Sequence, residues 1–163
     1  MRHPMRFDNP PPEPLASAPG FLLSWHGQRT AALFAQALEP LGLHPRHFGV
    51  MNLIDAHPGT TQRELVTGSL IDPSSMVAVI DELESMGLAE RRPHPGDRRK
   101  HAVHLTAKGR RTLARAREVA VAMARELFGP LDARELETLR RLLRKLARLP
   151  EQAERPLVEA RGS

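Results

Sequence analysis

Thr61-Gln62-Arg63-Glu64 has the form of a capping box, in which a threonine hydroxyl accepts from the backbone three residues on and a glutamate there reaches back. It opens a short helix that should stop near Gly68. After a tight turn, Asp72 is placed to cap a second helix, with Pro73 at its first position, where a missing N–H costs nothing. Met76, Val79, Ile80 and Leu83 recur on one face of that helix, which should end at Met86-Gly87. A short capped helix, a turn and an amphipathic helix form a helix-turn-helix pattern. Leu88 to Arg92 then reads as extended, Pro93-His94-Pro95-Gly96-Asp97 as turn chemistry, and His101 to Leu105 alternates apolar with polar. Pro93 and Pro95 cannot donate to a central ladder, so the hairpin is expected as a loose two-stranded wing.

The flanking segments are helical. Met1 to Pro19 holds six prolines and reads as a disordered arm, residues 1–19. Gly20 to Leu41 carries Leu23, Phe34, Leu38 and Leu41 near a helical period, and Pro45 to Ala56 carries Phe48, Met51, Leu53 and Ile54. Thr106 can cap a further helix with Leu113, Ala116, Ala120, Met123 and Leu127, closed by Gly129-Pro130. The last helix spaces Leu136, Leu139, Leu143 and Leu146 as in a helix–helix seam. The fold expected is therefore mainly α. Residues 20–44 form an N-terminal dimerisation helix, 45–106 a winged helix-turn-helix region, 107–149 C-terminal dimerisation helices and 150–163 a tail. The terminal stripes need partners beyond a small core, which favours a two-fold homodimer over the alternative that these helices bury each other within one chain and leave a monomer.

Composition narrows the function. The 163 residues include no cysteine, which excludes disulfides, thiolate nucleophiles and cysteine-ligated metals. No apolar run approaches the ~18–20 residues of a membrane span, and no signal peptide opens the chain, so a cytoplasmic location is expected. Net charge is +5, and five basic residues with one acid crowd into Arg91–Lys100. Nucleophile elbows, P-loops, H-E-x-x-H and dinucleotide glycine fingerprints are lacking, so neither an enzyme nor a cofactor is expected. His44 and His47 share a helix face, but no close third ligand completes a metal site, and His44 reads better as a helix-start residue.

With Met76, Val79, Ile80 and Leu83 turned inward, the second helix of the motif presents Ser74, Ser75, Val77, Ala78 and Asp81. Small side chains let a helix lie deep in a major groove; serine hydroxyls can bond bases or phosphates, and Val77 or Ala78 can touch a thymine methyl. An ordinary surface helix capped by serines is the competing reading. The basic hairpin weighs against it: Arg91, Arg92, Arg98, Arg99 and Lys100 flank the turn immediately after that helix, suited to phosphates and a narrow minor groove. Gln62 and Arg63 should lie near the DNA backbone. Asp97 would hold a neighbouring arginine or the turn rather than face DNA.

From about Gly20 to Leu149 the chain resembles the MarR (multiple antibiotic resistance regulator) family of winged helix-turn-helix transcription factors. The resemblance rests on Thr61-Gln62-Arg63-Glu64-Leu65, Val79-Ile80-Asp81-Glu82-Leu83-Glu84 with Gly87-Leu88, Arg91-Arg92, Asp97-Arg98-Arg99 and Leu105-Thr106-Ala107-Lys108-Gly109. It implies a triangular homodimer with interlocked terminal helices, a palindromic double-stranded DNA operator, repression, and release by a small effector. By the family pattern Arg99 is the minor-groove arginine, with Asp97 beside it in the wing. The chain departs from some members: without cysteine it is no thiol-based peroxide sensor, and Gly49 stands where urate-responsive members carry an acid. Asp55 occupies a position such proteins keep apolar, either as a ligand group or, preferably, facing solvent.

An effector pocket is expected between the dimer helices and the winged region. Trp25, Arg29, Phe48 and Met51 are its candidates, an aromatic wall with one cation that suits an aromatic carboxylate or phenol; the alternative is that Trp25, Phe48 and Met51 are plain core. The competing functions are a winged-helix protein–protein interaction module and a non-specific DNA-binding protein. Specific over non-specific affinity separates these from an operator binder.

Overall fold

The computed structural model describes residues 11–69, 71–94 and 96–149, with the side chains of 97–99 outside the described set. The expected arm and tail fall largely beyond it: residues 1–10 and 150–163 lie outside, and a short 3-10 turn, Leu15–Ser17, precedes the first helix. Among the described residues there are six α-helices and three strands, in the order α1 (Pro19–Leu38), α2 (Pro45–Ala56), β1 (Thr60–Thr61), α3 (Gln62–Thr67), α4 (Pro73–Ser85), β2 (Ala89–His94), β3 (Asp97–Leu105), α5 (Ala107–Phe128) and α6 (Ala133–Leu146).

The caps expected from sequence are in place. Thr61 Oγ1 accepts from the Glu64 N–H and Glu64 Oε2 accepts from the Thr61 N–H at 2.7 Å, which completes the box opening α3. Asp72 Oδ1 accepts from the Ser74 and Ser75 N–H groups at 3.1 and 3.0 Å at the head of α4. Thr106 caps α5 through the Gly109 N–H at 2.9 Å and donates to the Gly87 carbonyl at 2.7 Å, so one hydroxyl joins the end of α4 to the start of α5.

The wing is a β2–β3 hairpin in antiparallel register, Ala89 opposite Leu105 and Arg92 opposite Ala102, with an irregularity at Pro93/His94. To the expected two strands the fold adds a third: Thr60 and Thr61 pair with Val103 and Ala102, giving the order β1-β3-β2. β2 is thus an edge strand, and Pro93 lies where no neighbour needs its N–H. The hairpin is anchored at its base by the buried Leu88, Ala89, Val103 and Leu105.

One core serves these elements. Leu38 of α1, Val50, Met51 and Ile54 of α2, Leu65 of α3, Met76, Val79, Ile80 and Leu83 of α4, and Leu113 and Ala116 of α5 are all buried within it. α6 contributes no buried residue. No helix among the described residues is long and apolar enough to cross a membrane.

Candidate nucleic-acid interface

α4 is amphipathic in the sense its sequence requires. Met76, Val79, Ile80 and Leu83 are at most 2% exposed, while Ser74, Ser75, Val77, Ala78 and Asp81 all face outward. Ser74 Oγ donates its proton to Asp72 Oδ1, so what the hydroxyl offers outward is its acceptor lone pairs. On α3, Arg63 is exposed and Gln62 half-buried at the first turn. Lys100 is exposed on β3, and Arg92 pairs with Glu90 at 2.5 Å. Asp97, Arg98 and Arg99 lie on the same strand; their side chains are outside the described set.

Arg91 sits differently from its neighbours. Its backbone N–H donates to Glu84 Oε1 at 2.8 Å, and its guanidinium engages Glu84 and Asp81 Oδ1, the latter at 2.7 Å. It bridges wing to helix. The opposite flank of α4 is held from α2, where Arg46 Nη2 lies 2.8 Å from both oxygens of Glu82 and His47 Nε2 lies 2.5 Å from Oε2. The His47 bond first, then Arg46, keeps the Glu82 carboxyl below its ordinary range. His44 is a helix-start residue as expected: it is the N-cap of α2 and accepts from the Arg46 N–H, while His47 Nδ1 accepts from the His44 N–H at 3.0 Å. This two-histidine capping box was not foreseen from sequence. Its only trace there is the three-residue spacing around Pro45. Among the described residues no group of three or more His, Asp or Glu could hold a metal ion.

The four residues expected to share an effector pocket are not brought together. Met51 is fully buried in the core, and Arg29 stacks on Trp25 along α1, 5.6 Å from the ring centroid. Phe48 packs edge-on against Phe34 and also lines an apolar groove of about 470 Å³ between α2, α5 and the start of α6. Asn52, Arg117, Arg125, Phe128 and Leu136 line it too. Asp55 is partly exposed and ion-paired: its Oδ2 accepts from Arg117 at 2.8 Å, and the same guanidinium donates to Asn52 Oδ1, which ties α5 to α2.

The family model described as MarR family matches residues 41–100, from just beyond α1 into β3. A protein named as a transcriptional regulator for the hcr operon of Thauera aromatica is 34% identical over 107 residues, 66% of this chain and 64% of its own length. An HTH-type transcriptional repressor of Mycobacterium tuberculosis is 30% identical over 127 residues, 78% of this chain and 91% of that one. Among solved structures, the transcriptional repressor CouR bound to a 23-mer DNA duplex superposes with a TM-score of 0.76 at 34% identity, over 85% of this chain and 99% of that one. CouR from Rhodococcus jostii RHA1 bound to p-coumaroyl-CoA gives 0.74 at 31% identity, over 88% and 100%. With capped helix, turn, small-faced helix and wing all in place, and a relative 30% identical over 78% of the chain, this chain belongs to the MarR family of winged helix-turn-helix transcription regulators.

Proposed function

We propose that the chain is a homodimeric, sequence-specific DNA-binding repressor released by a small aromatic or phenolic effector. One observation carries the DNA reading: α4 exposes Ser74, Ser75, Val77 and Ala78, all small, with the basic wing beside them. A helix with that face can approach base edges closely, and the wing supplies the phosphate contacts that fix its register. Ser74, Ser75, Val77 and Ala78 read the major groove, Gln62 and Arg63 lie along the backbone, and Arg98, Arg99 and Lys100 serve the minor groove and phosphates, with Asp97 supporting the wing. Arg91 stands at the edge of this set because two acids already hold it. The likeness to CouR, solved on DNA, supports the reading.

Two copies place their α4 helices about one DNA turn apart, ~34–36 Å, on a palindromic site. The effector sits in the groove against Phe48 and Phe128, with Arg125 taking its anionic or phenolic oxygen. The volume lies within the ~300–1,000 Å³ usual for ligand sites, and a neighbour was solved with p-coumaroyl-CoA.

The test is a gel shift at fixed salt against the DNA upstream of the chain's own gene, with excess non-specific competitor. A competitor-resistant shift is expected, specific binding exceeding non-specific by ~10³ or more. Arg99→Ala should weaken it at least ~10-fold while the helical signal stays unchanged. Full affinity in that variant overturns the assignment of Arg99; a shift lost to competitor overturns sequence-specific reading.

A further inference from the structure

Three carboxylates lie on or beside the outward face of α4, where a DNA phosphate would be repelled: Asp81, Glu82 and Glu84. All three are held by cations from neighbouring elements. Their angular placement is informative. At ~100° per residue, Glu82 lies about 80° to one side of Ser74 and Glu84 about 80° to the other, with Ala78 and Asp81 between them. One edge of the outward face is therefore tied to α2 through Arg46 and His47, and the other to β2 through Arg91.

Both ties are themselves rigidly founded. His47 is buried, and its Nδ1 accepts from the His44 backbone, so the ring proton sits on Nε2 and is aimed at Glu82. Arg91 takes Glu84 through its backbone N–H as well as its side chain, so the contact follows the strand and not only a flexible rotamer.

We propose that Glu82 and Arg91 are positioning residues that set the roll of α4 about its own axis, and so decide which of Ser74, Ser75, Val77 and Ala78 meet a base edge. Neither needs to touch DNA. A roll of ~20° moves a Cα on the ~2.3 Å helical cylinder by ~0.8 Å, more than the ~0.5 Å spread of good N–H···O distances. A release on either flank that permits such a roll is therefore enough to misplace a base contact, with the core side chains of α4 shifting by a similar distance. The inference rests on the DNA-reading function proposed above.

The test uses two variants that change charge in opposite directions. Glu82→Ala removes an acid and Arg91→Ala removes a base. A duplex enriched from a random pool by the wild-type protein is compared with a scrambled duplex of equal length, at fixed salt, by fluorescence anisotropy well below the melting temperature. Were charge alone at work, Glu82→Ala would strengthen and Arg91→Ala weaken both duplexes in parallel, leaving the specific-to-scrambled ratio unchanged. Set roll predicts that the ratio falls in both, by ~10-fold or more. Glu82→Gln, which keeps an acceptor for the His47 proton, should retain more of the ratio than Glu82→Ala. Glu82 is half-exposed and alanine favours helix, so that variant carries the test even where Arg91→Ala fails to fold. An unchanged ratio in Glu82→Ala overturns the inference and leaves operator binding intact. A wild-type ratio near one, or no enrichment, overturns the DNA-reading function and the inference with it.

Discussion

Asp72 places α4 with one carboxylate. The hydroxyls of Ser74 and Ser75, followed by their backbone N–H groups, hydrogen-bond to its charged form and hold its carboxyl far below the ordinary aspartate range. A folded-state pKa below the unfolded one means the folded chain binds fewer protons, so stability rises with pH. The contribution is fully present above about pH 5 and is lost as pH falls below about 4. Asn caps as well as Asp but does not titrate. Between pH 6 and pH 3 the melting temperature of the wild type should therefore fall further than that of Asp72→Asn; equal falls would place the acid sensitivity elsewhere. Caps of this kind were legible because Thr, Asp and Pro at a helix start act through the adjacent backbone. His44 and His47 do the same work on α2 with a residue type that carries no such signature, and Arg91 meets Asp81 and Glu84 only once the hairpin folds back on α4.

At the scale of elements, the junction of α4, the wing and α5 explains why Leu105-Thr106-Ala107-Lys108-Gly109 reads as it does. Thr106 joins two helices, Lys108 Nζ donates to the Met86 carbonyl at 2.8 Å, and Gly109 lets α5 pass against the backbone of Leu88. A Cβ on Gly109 would stand 1.9 Å from the Leu88 carbonyl oxygen, so alanine there forces α5 away from the base of the wing. Gly109→Ala should cost about 1–3 kcal/mol in urea unfolding. Gly49, an exposed residue within α2, has nothing within 4 Å of its would-be Cβ, and Gly49→Ala should stabilise by about 0.5–1 kcal/mol. The same sign for both would refute this account of the junction. Helix bounds were legible because stop and start signals are local. The groove was not: Phe48 shows in the sequence of α2, but Arg117, Arg125 and Phe128 join it only because α5 packs across α2, and no single-segment pattern encodes that crossing. β1 is a similar case, two threonines that become a strand because β3 runs beside them.

For the whole molecule, α6 is the element that the described residues leave uncovered. Leu136, Leu142, Leu143 and Leu146 are between 39% and 72% exposed, and no residue of the helix is buried. Covering a leucine fully is worth about 1.5–3 kcal/mol, so a stripe of this length left in water is a large unspent driving force. A second copy would cover it by the same surface on both sides of a two-fold axis. Leu143→Asp combined with Leu146→Asp would bury charge at that seam at heavy cost, while leaving the core around Leu38, Val50, Ile80 and Leu83 untouched. Light scattering should give twice the 18.2 kDa chain mass for the wild type and the single mass for the double variant, with the helical signal retained. Operator binding should weaken more than any single base contact can explain, because one half-site no longer anchors the other. A wild type that is monomeric at micromolar concentration, or a double variant that stays at twice the mass, would mean that α6 is covered by something other than its twin.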